Sequence, residues 1–159
     1  MLSPSPASAA SYKCKTSTKS IDTANYNGPW ADQWDVKTTL CAKRSGSYVH
    51  AYAKVSWDGP LFGEPDNSAI FDAARFRLQI KKSQSGTDPV KLSKDFYGIE
   101  ARLENSDVWG NYNGSYTTGT TKWKASSANK GYADGVLQLD WRKCCGGYHS
   151  HNFKASPVV

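Results

Sequence analysis

The sequence predicts an all-β protein, an antiparallel β-sandwich of seven or eight strands that is stapled by disulfides. Apolar and polar residues alternate with a period of two in several segments, and turn residues separate these segments. Six Trp and nine Tyr, residues that favour pleated sheets, add to this signal. One apolar and one polar face per strand is typical of two antiparallel sheets packed face to face.

The clearest pair of strands lies in the first half of the chain. Alternation runs through residues 34–40 and again through residues 49–57. The intervening Arg-Ser-Gly-Ser at 44–47 is typical of a turn, and Asp-Gly-Pro at 58–60 ends the second run. These segments therefore predict a β-hairpin.

The remaining strands are predicted from shorter patterns. They cover residues 76–80, 99–103, 116–123, 137–141 and 148–153. A short helix is predicted around residues 68–74, because Asp66, Asn67 and Ser68 are good helix caps.

The charge of the chain limits the partners that we expect. Twenty basic and fourteen acidic residues give a net charge of +6, and the basic residues are scattered. A nucleic-acid-binding protein usually concentrates its positive charge in a patch, so no nucleic acid is expected. No run of about 18 apolar residues occurs, so no membrane span is expected. An anionic partner, such as a cell wall or an acidic protein face, fits the charge.

The N-terminal residues 1–10, MLSPSPASAA, end in small residues at the spacing that signal peptidase requires. We interpret them as a signal-peptide remnant or a flexible Pro/Ser/Ala-rich segment, followed by a single β domain over residues 11–159. The protein is therefore expected to be secreted and extracellular.

The four cysteines are Cys14, Cys41, Cys144 and Cys145, which allow three pairings. Adjacent cysteines do not easily bond to each other, because the peptide between them is trans and disulfide geometry is strict. We therefore predict two disulfides, each joining Cys14 or Cys41 to Cys144 or Cys145.

The sequence contains no GxSxG, HExxH, GxxxxGK[ST] or GxGxxG motif, so no catalytic residue and no cofactor are predicted. His149 and His151 would project from one face of a strand, and with His50 they are the candidate metal ligands. We prefer to interpret this pair as part of a polar outer face, and we assign no metal. Acidic residues beside tryptophans leave a carboxylate-based hydrolase as an alternative; they are Asp32, Asp35, Asp58 and Glu64.

Exposed aromatic residues are the candidate binding residues. Tyr48 and Tyr52 fall on the polar face of their strand beside His50, and Trp109 and Tyr112 fall in a turn rich in Gly and Asn. Tyr and Trp are enriched at interfaces because a rigid ring covers much area at little entropic cost. These four residues predict a protein partner, and a carbohydrate is the alternative.

Two segments carry a resemblance to a known family: GPWADQWDVKTTLCAKRSGSYVHAYAKVSWDGP at 28–60 and LDWRKCCGGYHSHNFKASPVV at 139–159. They resemble small secreted proteins of filamentous soil bacteria, in particular the adaptor subunit of bacterial umbrella toxin particles. The resemblance implies an adaptor that links a stalk protein to lectin-bearing subunits. It also implies a flexible segment, residues 11–22 ahead of the first strand, that a partner's cleft accepts.

The predicted function is therefore a secreted, non-enzymatic protein-interaction adaptor. A carbohydrate- or cell-wall-binding module is the first alternative, and a secreted hydrolase is the second. A sugar binder should present a row of coplanar aromatic rings. An adaptor should present an apolar patch or an open sheet edge, and an enzyme should present a cleft with converging acids.

Overall fold

A computed structural model of the chain describes residues 10–24, 29, 32–60, 70–106, 113–142 and 144–159. Within these residues there are nine strands and one short helix. They are β1 (Lys13–Asp22), β2 (Gln33–Ser45), β3 (Tyr48–Asp58), β4 (Phe71–Ser83), β5 (Val90–Phe96), α1 (Gly98–Glu104), β6 (Gly114–Thr117), β7 (Thr121–Lys124), β8 (Lys130–Trp141) and β9 (His149–Asn152).

The strands form two antiparallel sheets. The first sheet has the order β1-β2-β3-β6, and β7 pairs with another stretch of β3. The second sheet has the order β5-β4-β8-β9. The predicted β-sandwich is therefore confirmed, and so is the hairpin of β2 and β3.

The core lies between the inner faces of the two sheets. Every second residue of β2, β3, β4 and β8 is buried there, because successive side chains of a strand point to opposite faces. Leu40 of β2, Phe76 of β4 and Leu137 of β8 are examples of these buried residues. The alternate residues of the same strands form the two outer faces.

Helix α1 corrects the predicted strand at residues 99–103. Ile99 and Leu103 are buried and lie four residues apart, which places them on one face of a helix, whereas Ala101 between them is exposed. The helix packs against β4 and β6. It has seven residues, and no helix in the described part of the chain is long and apolar enough to cross a membrane.

One further prediction of secondary structure was wrong, and another was right only in part. Residues 71–74 begin β4 rather than a helix, and residues 68–69 lie outside the described part. Residues 116–123 form parts of β6 and β7, with a break at 118–120 where Thr118 is buried and bonds to the backbone of Ala53.

The N-terminal segment also differs from the expectation. Residues 11–22 were expected to lie ahead of the first strand, but residues 13–22 are β1 itself, paired with β2 along its whole length. Its side chains are exposed on both faces apart from Ile21, which is buried, and Ser17, which is partly buried. β1 is therefore an edge strand that the second sheet barely covers.

The predicted disulfide pairing was wrong. Cys14 and Cys41 stand opposite each other in β1 and β2, with Cα atoms 4.1 Å apart, and are bonded to each other. Cys144 is bonded to Cys145. These two residues lie in the turn between β8 and β9, where Cys145 has φ +70°, and not on a strand.

We predict that Gly135→Ala strongly destabilises the protein. A Cβ at this position of β8 would lie 2.6 Å from Cζ of Phe76 and 2.8 Å from Cδ2 of Leu40. Overpacking of this kind typically costs about 1–3 kcal/mol. Urea denaturation should measure the loss. In the control Gly119→Ala, the new Cβ meets only Phe96 at 3.6 Å, an ordinary contact. Equal stability of the two variants would contradict this packing.

We also predict that the Cys14–Cys41 bond stabilises the fold measurably. It closes a loop of 27 residues, for which the chain-entropy model gives about 3–4 kcal/mol. The double variant Cys14→Ser/Cys41→Ser should therefore unfold at lower urea concentration than the unsubstituted chain. Non-reducing peptide mapping should recover one peptide pair with Cys14 and Cys41 and one single peptide with both Cys144 and Cys145. A linkage between the two regions would show that the pairing is different.

Candidate binding surface

The candidate site lies on the outer face of the first sheet, at the end where β2 turns into β3. Tyr48, His50 and Tyr52 alternate along β3 with the buried residues of that strand, so all three point outward. In the strand register, Lys43 of β2 stands opposite His50 on one side and Lys122 of β7 stands opposite it on the other. The two predicted tyrosines are therefore brought together with two lysines.

Tyr12, just before β1, completes the cluster. Its ring meets that of Tyr52 edge to face, with centroids 4.8 Å apart and planes at 85°. Lys43 Nζ lies 4.6 Å from the centroid of the Tyr12 ring, and Lys122 Nζ lies 4.8 Å from that of Tyr48. We call these six residues the tyrosine–lysine face: Tyr12, Lys43, Tyr48, His50, Tyr52 and Lys122.

The lysines and partial burial together keep His50 uncharged at neutral pH. Burial is the larger cause that lowers the pKa of His50, and the charges of Lys43 and Lys122 lower it further. The neutral imidazole carries one donor and one acceptor nitrogen. The face therefore offers aromatic surface, two ammonium groups and a neutral hydrogen-bonding ring.

The cations that lie over tyrosine rings differ in how their charge is paired on the two sheets. On the second sheet Arg75 lies over the Tyr148 ring, and Arg75 and Arg77 both contact Asp95. The hydrogen bond from Arg77 is the main cause that lowers the pKa of Asp95. Among the described residues, neither Lys43 nor Lys122 forms an ion pair. The positive charge of the tyrosine–lysine face is therefore not neutralised by described carboxylates.

The other predicted binding residues are not placed. Trp109 and Tyr112 lie outside the described residues. Tyr12 was missed by the sequence analysis, because β1 has no apolar alternation from which its partner strand and register follow. One signal in the sequence links Tyr12 to Tyr52. Tyr12 lies two residues before Cys14, Cys14 is bonded to Cys41, and Cys41 stands opposite Tyr52.

The predicted carboxylates lie at the other end of the same outer face. Asp35 and Asp58 stand opposite each other in β2 and β3, and both are exposed. The hydroxyl of Ser20 donates a hydrogen bond to Asp35. Asp32 is partly exposed in the segment before β2, and Glu64 lies outside the described residues.

His149 and His151 lie on β9 of the second sheet, whereas His50 belongs to the first sheet. Both line a cleft of about 380 Å³ with Trp141 and Cys145. Burial mainly lowers the pKa of His151, and Lys19 and His149 lower it further. Among the described residues, no group of three or more His, Cys, Asp and Glu side chains is arranged to hold a metal ion.

The fold and this surface define a class: an antiparallel β-sandwich with a partly exposed cluster of tyrosines and lysines on one sheet. Comparison of the chain with protein-family models, with curated proteins and with solved structures finds no match.

We predict that Lys43→Gln and Lys122→Gln each raise the pKa of His50, because each removes a positive charge that opposes its protonation. The pKa should stay below the usual value of about 6.5, since burial remains. NMR titration of the imidazole protons measures the pKa of His50 in each variant. His151 is the matched control, because its lowered pKa depends on other neighbours. The pKa of His50 is lower in the folded chain than in the unfolded chain, so protonation favours the unfolded chain. His50 therefore reduces the free energy of unfolding as the pH falls below about 6.5, and it has no such effect above that pH.

Proposed function

We propose that the protein is a secreted, non-enzymatic interaction adaptor that binds an acidic protein surface through the tyrosine–lysine face. The observation that carries the proposal is a difference between the cations that lie over tyrosine rings. Arg75 of the second sheet, over Tyr148, also pairs with Asp95, whereas Lys43 and Lys122 of the first sheet pair with no described carboxylate.

The chemistry of this face suits a protein partner. Tyrosine is enriched at interface hot spots, and a rigid ring that is already packed loses little entropy on binding. Tyr12 and Tyr52 hold each other in this way before any partner arrives. Two ammonium groups beside the rings favour carboxylates on the partner and steer its approach.

The ring geometry favours a protein over a polysaccharide. A row of coplanar rings is expected for a surface that stacks several sugars. The Tyr12 and Tyr52 rings are nearly perpendicular, and the Tyr48 and His50 rings are inclined by 52°. The described aromatic residues of this face therefore support an irregular protein surface as the partner.

Secretion is part of the proposal, and the cysteines support it. All four cysteines are in disulfides. Disulfides form and persist mainly in oxidising compartments such as the exterior of the cell.

We predict that Tyr48→Ser and Tyr52→Ser each weaken partner binding roughly thirtyfold, which corresponds to about 2 kcal/mol for an interface hot spot. The tagged chain would first capture its partner from the culture supernatant of the producing cells. Surface plasmon resonance would then compare the variants, after thermal melts have shown that they are folded.

Two variants serve as controls. Tyr97→Ser removes a tyrosine that is 57% exposed beside the second sheet, and Asp58→Asn changes the far end of the first sheet. Both should bind within about twofold, because neither residue belongs to the tyrosine–lysine face. Equal binding by all tyrosine variants, or retention on an immobilised polysaccharide that depends on Tyr48 and Tyr52, would refute a protein partner at this face. A hydrolytic activity that Asp58→Asn abolishes would refute the non-enzymatic role.

A further inference from the structure

The outer edge of β1 pairs with no described strand, and it is the second surface of interest; it begins next to Tyr12 and runs away from the tyrosine–lysine face. Cross-strand neighbours share one face of a sheet. Lys13, Lys15 and Lys19 stand opposite the buried residues Ala42, Leu40 and Val36 of β2, so they point to the inner side of the first sheet. The three lysines are nevertheless exposed, because the second sheet does not extend under them.

Among the described edge strands, β1 is the longest and most regular. It pairs with β2 over ten residues without a register shift. The other strands at the edges are shorter: β5 has seven residues and a register shift against β4, and β6, β7 and β9 have four each. Proteins usually protect sheet edges with short strands, bulges, prolines or lysines. Of these devices, β1 has only the lysines.

The disulfide indicates which backbone groups are free. The Cα atoms of Cys14 and Cys41 are 4.1 Å apart, the short spacing that is typical of a non-hydrogen-bonded pair. The N–H and C=O groups of Cys14 therefore point away from β2. By alternation, those of Thr16, Thr18 and Ser20 point the same way, and together they form a row that another strand can pair with.

We propose that this edge binds an extended acidic segment of a partner protein, which adds to the first sheet as a strand beside β1. The backbone of the segment forms hydrogen bonds with the outward N–H and C=O groups of Cys14, Thr16, Thr18 and Ser20. Carboxylates at alternate positions of the segment lie next to Lys13, Lys15 and Lys19. This mode of recognition uses main-chain hydrogen bonds for affinity and alternate side chains for specificity.

The charges around this edge favour an acidic segment over a second copy of the chain. Asp22, at the end of β1, is the single carboxylate of the strand. Lys154 donates its backbone N–H to the hydroxyl of Ser17, and Lys19 lies close enough to His151 to lower the pKa of that imidazole. Two copies of β1 side by side would bring lysines next to lysines, which is unfavourable.

The first test uses a fluorescein-labelled peptide in which glutamate alternates with threonine. Its length of roughly eight residues is within the usual range for a strand. Fluorescence anisotropy should show saturable binding to the full chain that weakens with added salt. The same peptide with lysine in place of glutamate should not bind. Absence of saturable binding by the glutamate peptide at millimolar concentration, or equal binding by the lysine peptide, would overturn the proposal.

The second test locates the contact. Thr18→Pro removes an outward N–H without removing a hydrogen bond to β2, as edge prolines do. It should weaken peptide binding at least about tenfold, whereas the matched variant Thr18→Ala should bind within about twofold. Capture of a partner at the tyrosine–lysine face should be unchanged in Thr18→Pro, so the two proposals fail separately. Peptide binding that Thr18→Pro leaves unchanged would overturn the proposal.

Amide hydrogen exchange on the unsubstituted chain gives a readout that does not depend on folding of the variant. The N–H groups of Thr16 and Thr18 should exchange quickly in the free protein and slowly with the glutamate peptide bound. Bound peptide without this protection would place the contact elsewhere. Sedimentation at high protein concentration should show a monomer, and a dimer that Thr18→Pro abolishes would make a second copy the occupant instead.

Discussion

The close approach of Leu40 of the first sheet and Phe76 of the second sheet to Gly135 of β8 is the packing constraint on which the sandwich depends. A single Cβ at residue 135 would overlap both side chains, so the two sheets are as close here as their side chains allow. Successive side chains of a strand point to opposite faces, so the residues of β2 and β3 that alternate with this core point outward. The fold fixes which residues of β2 and β3 are available to a partner before any binding chemistry is considered.

The outer face of the first sheet is used differently along its length. Near the hairpin turn, tyrosines pack on one another and on lysine ammonium groups. At the far end, Asp35 and Asp58 stand opposite each other, an arrangement that like charges disfavour. The hydrogen bond from Ser20 to Asp35 offsets part of this cost. The tyrosine–lysine face therefore lies at the opposite end of this outer face from Asp35 and Asp58.

The sequence predicted the long strands that have one buried face, together with the short β9, and missed β1 and β5. Residues 34–40, 49–57, 76–80 and 137–141 alternate because β2, β3, β4 and β8 each border the core. β1 and β5 lie at sheet edges with few buried side chains, so no periodicity marks them. Ile99 and Leu103 fit a strand and a helix equally well, and only their packing against β4 and β6 decides for the helix. Tyr48 and Tyr52 were predicted from the same alternation, whereas Tyr12 depends on a strand pairing that no local pattern reveals.

The Cys14–Cys41 bond explains how a strand with one buried side chain stays ordered. Without an apolar face, β1 gains little from the hydrophobic effect, and its ladder of backbone hydrogen bonds must offset the entropy of ordering ten residues. The disulfide reduces that entropic cost by joining β1 to β2 near one end, and Ile21 packs into the core near the other. Between these two anchors the strand stays extended with its outer backbone groups free. Because β1 is already ordered, it would lose little further conformational entropy on pairing with another strand. Most of the entropic cost of pairing would therefore come from ordering the partner strand.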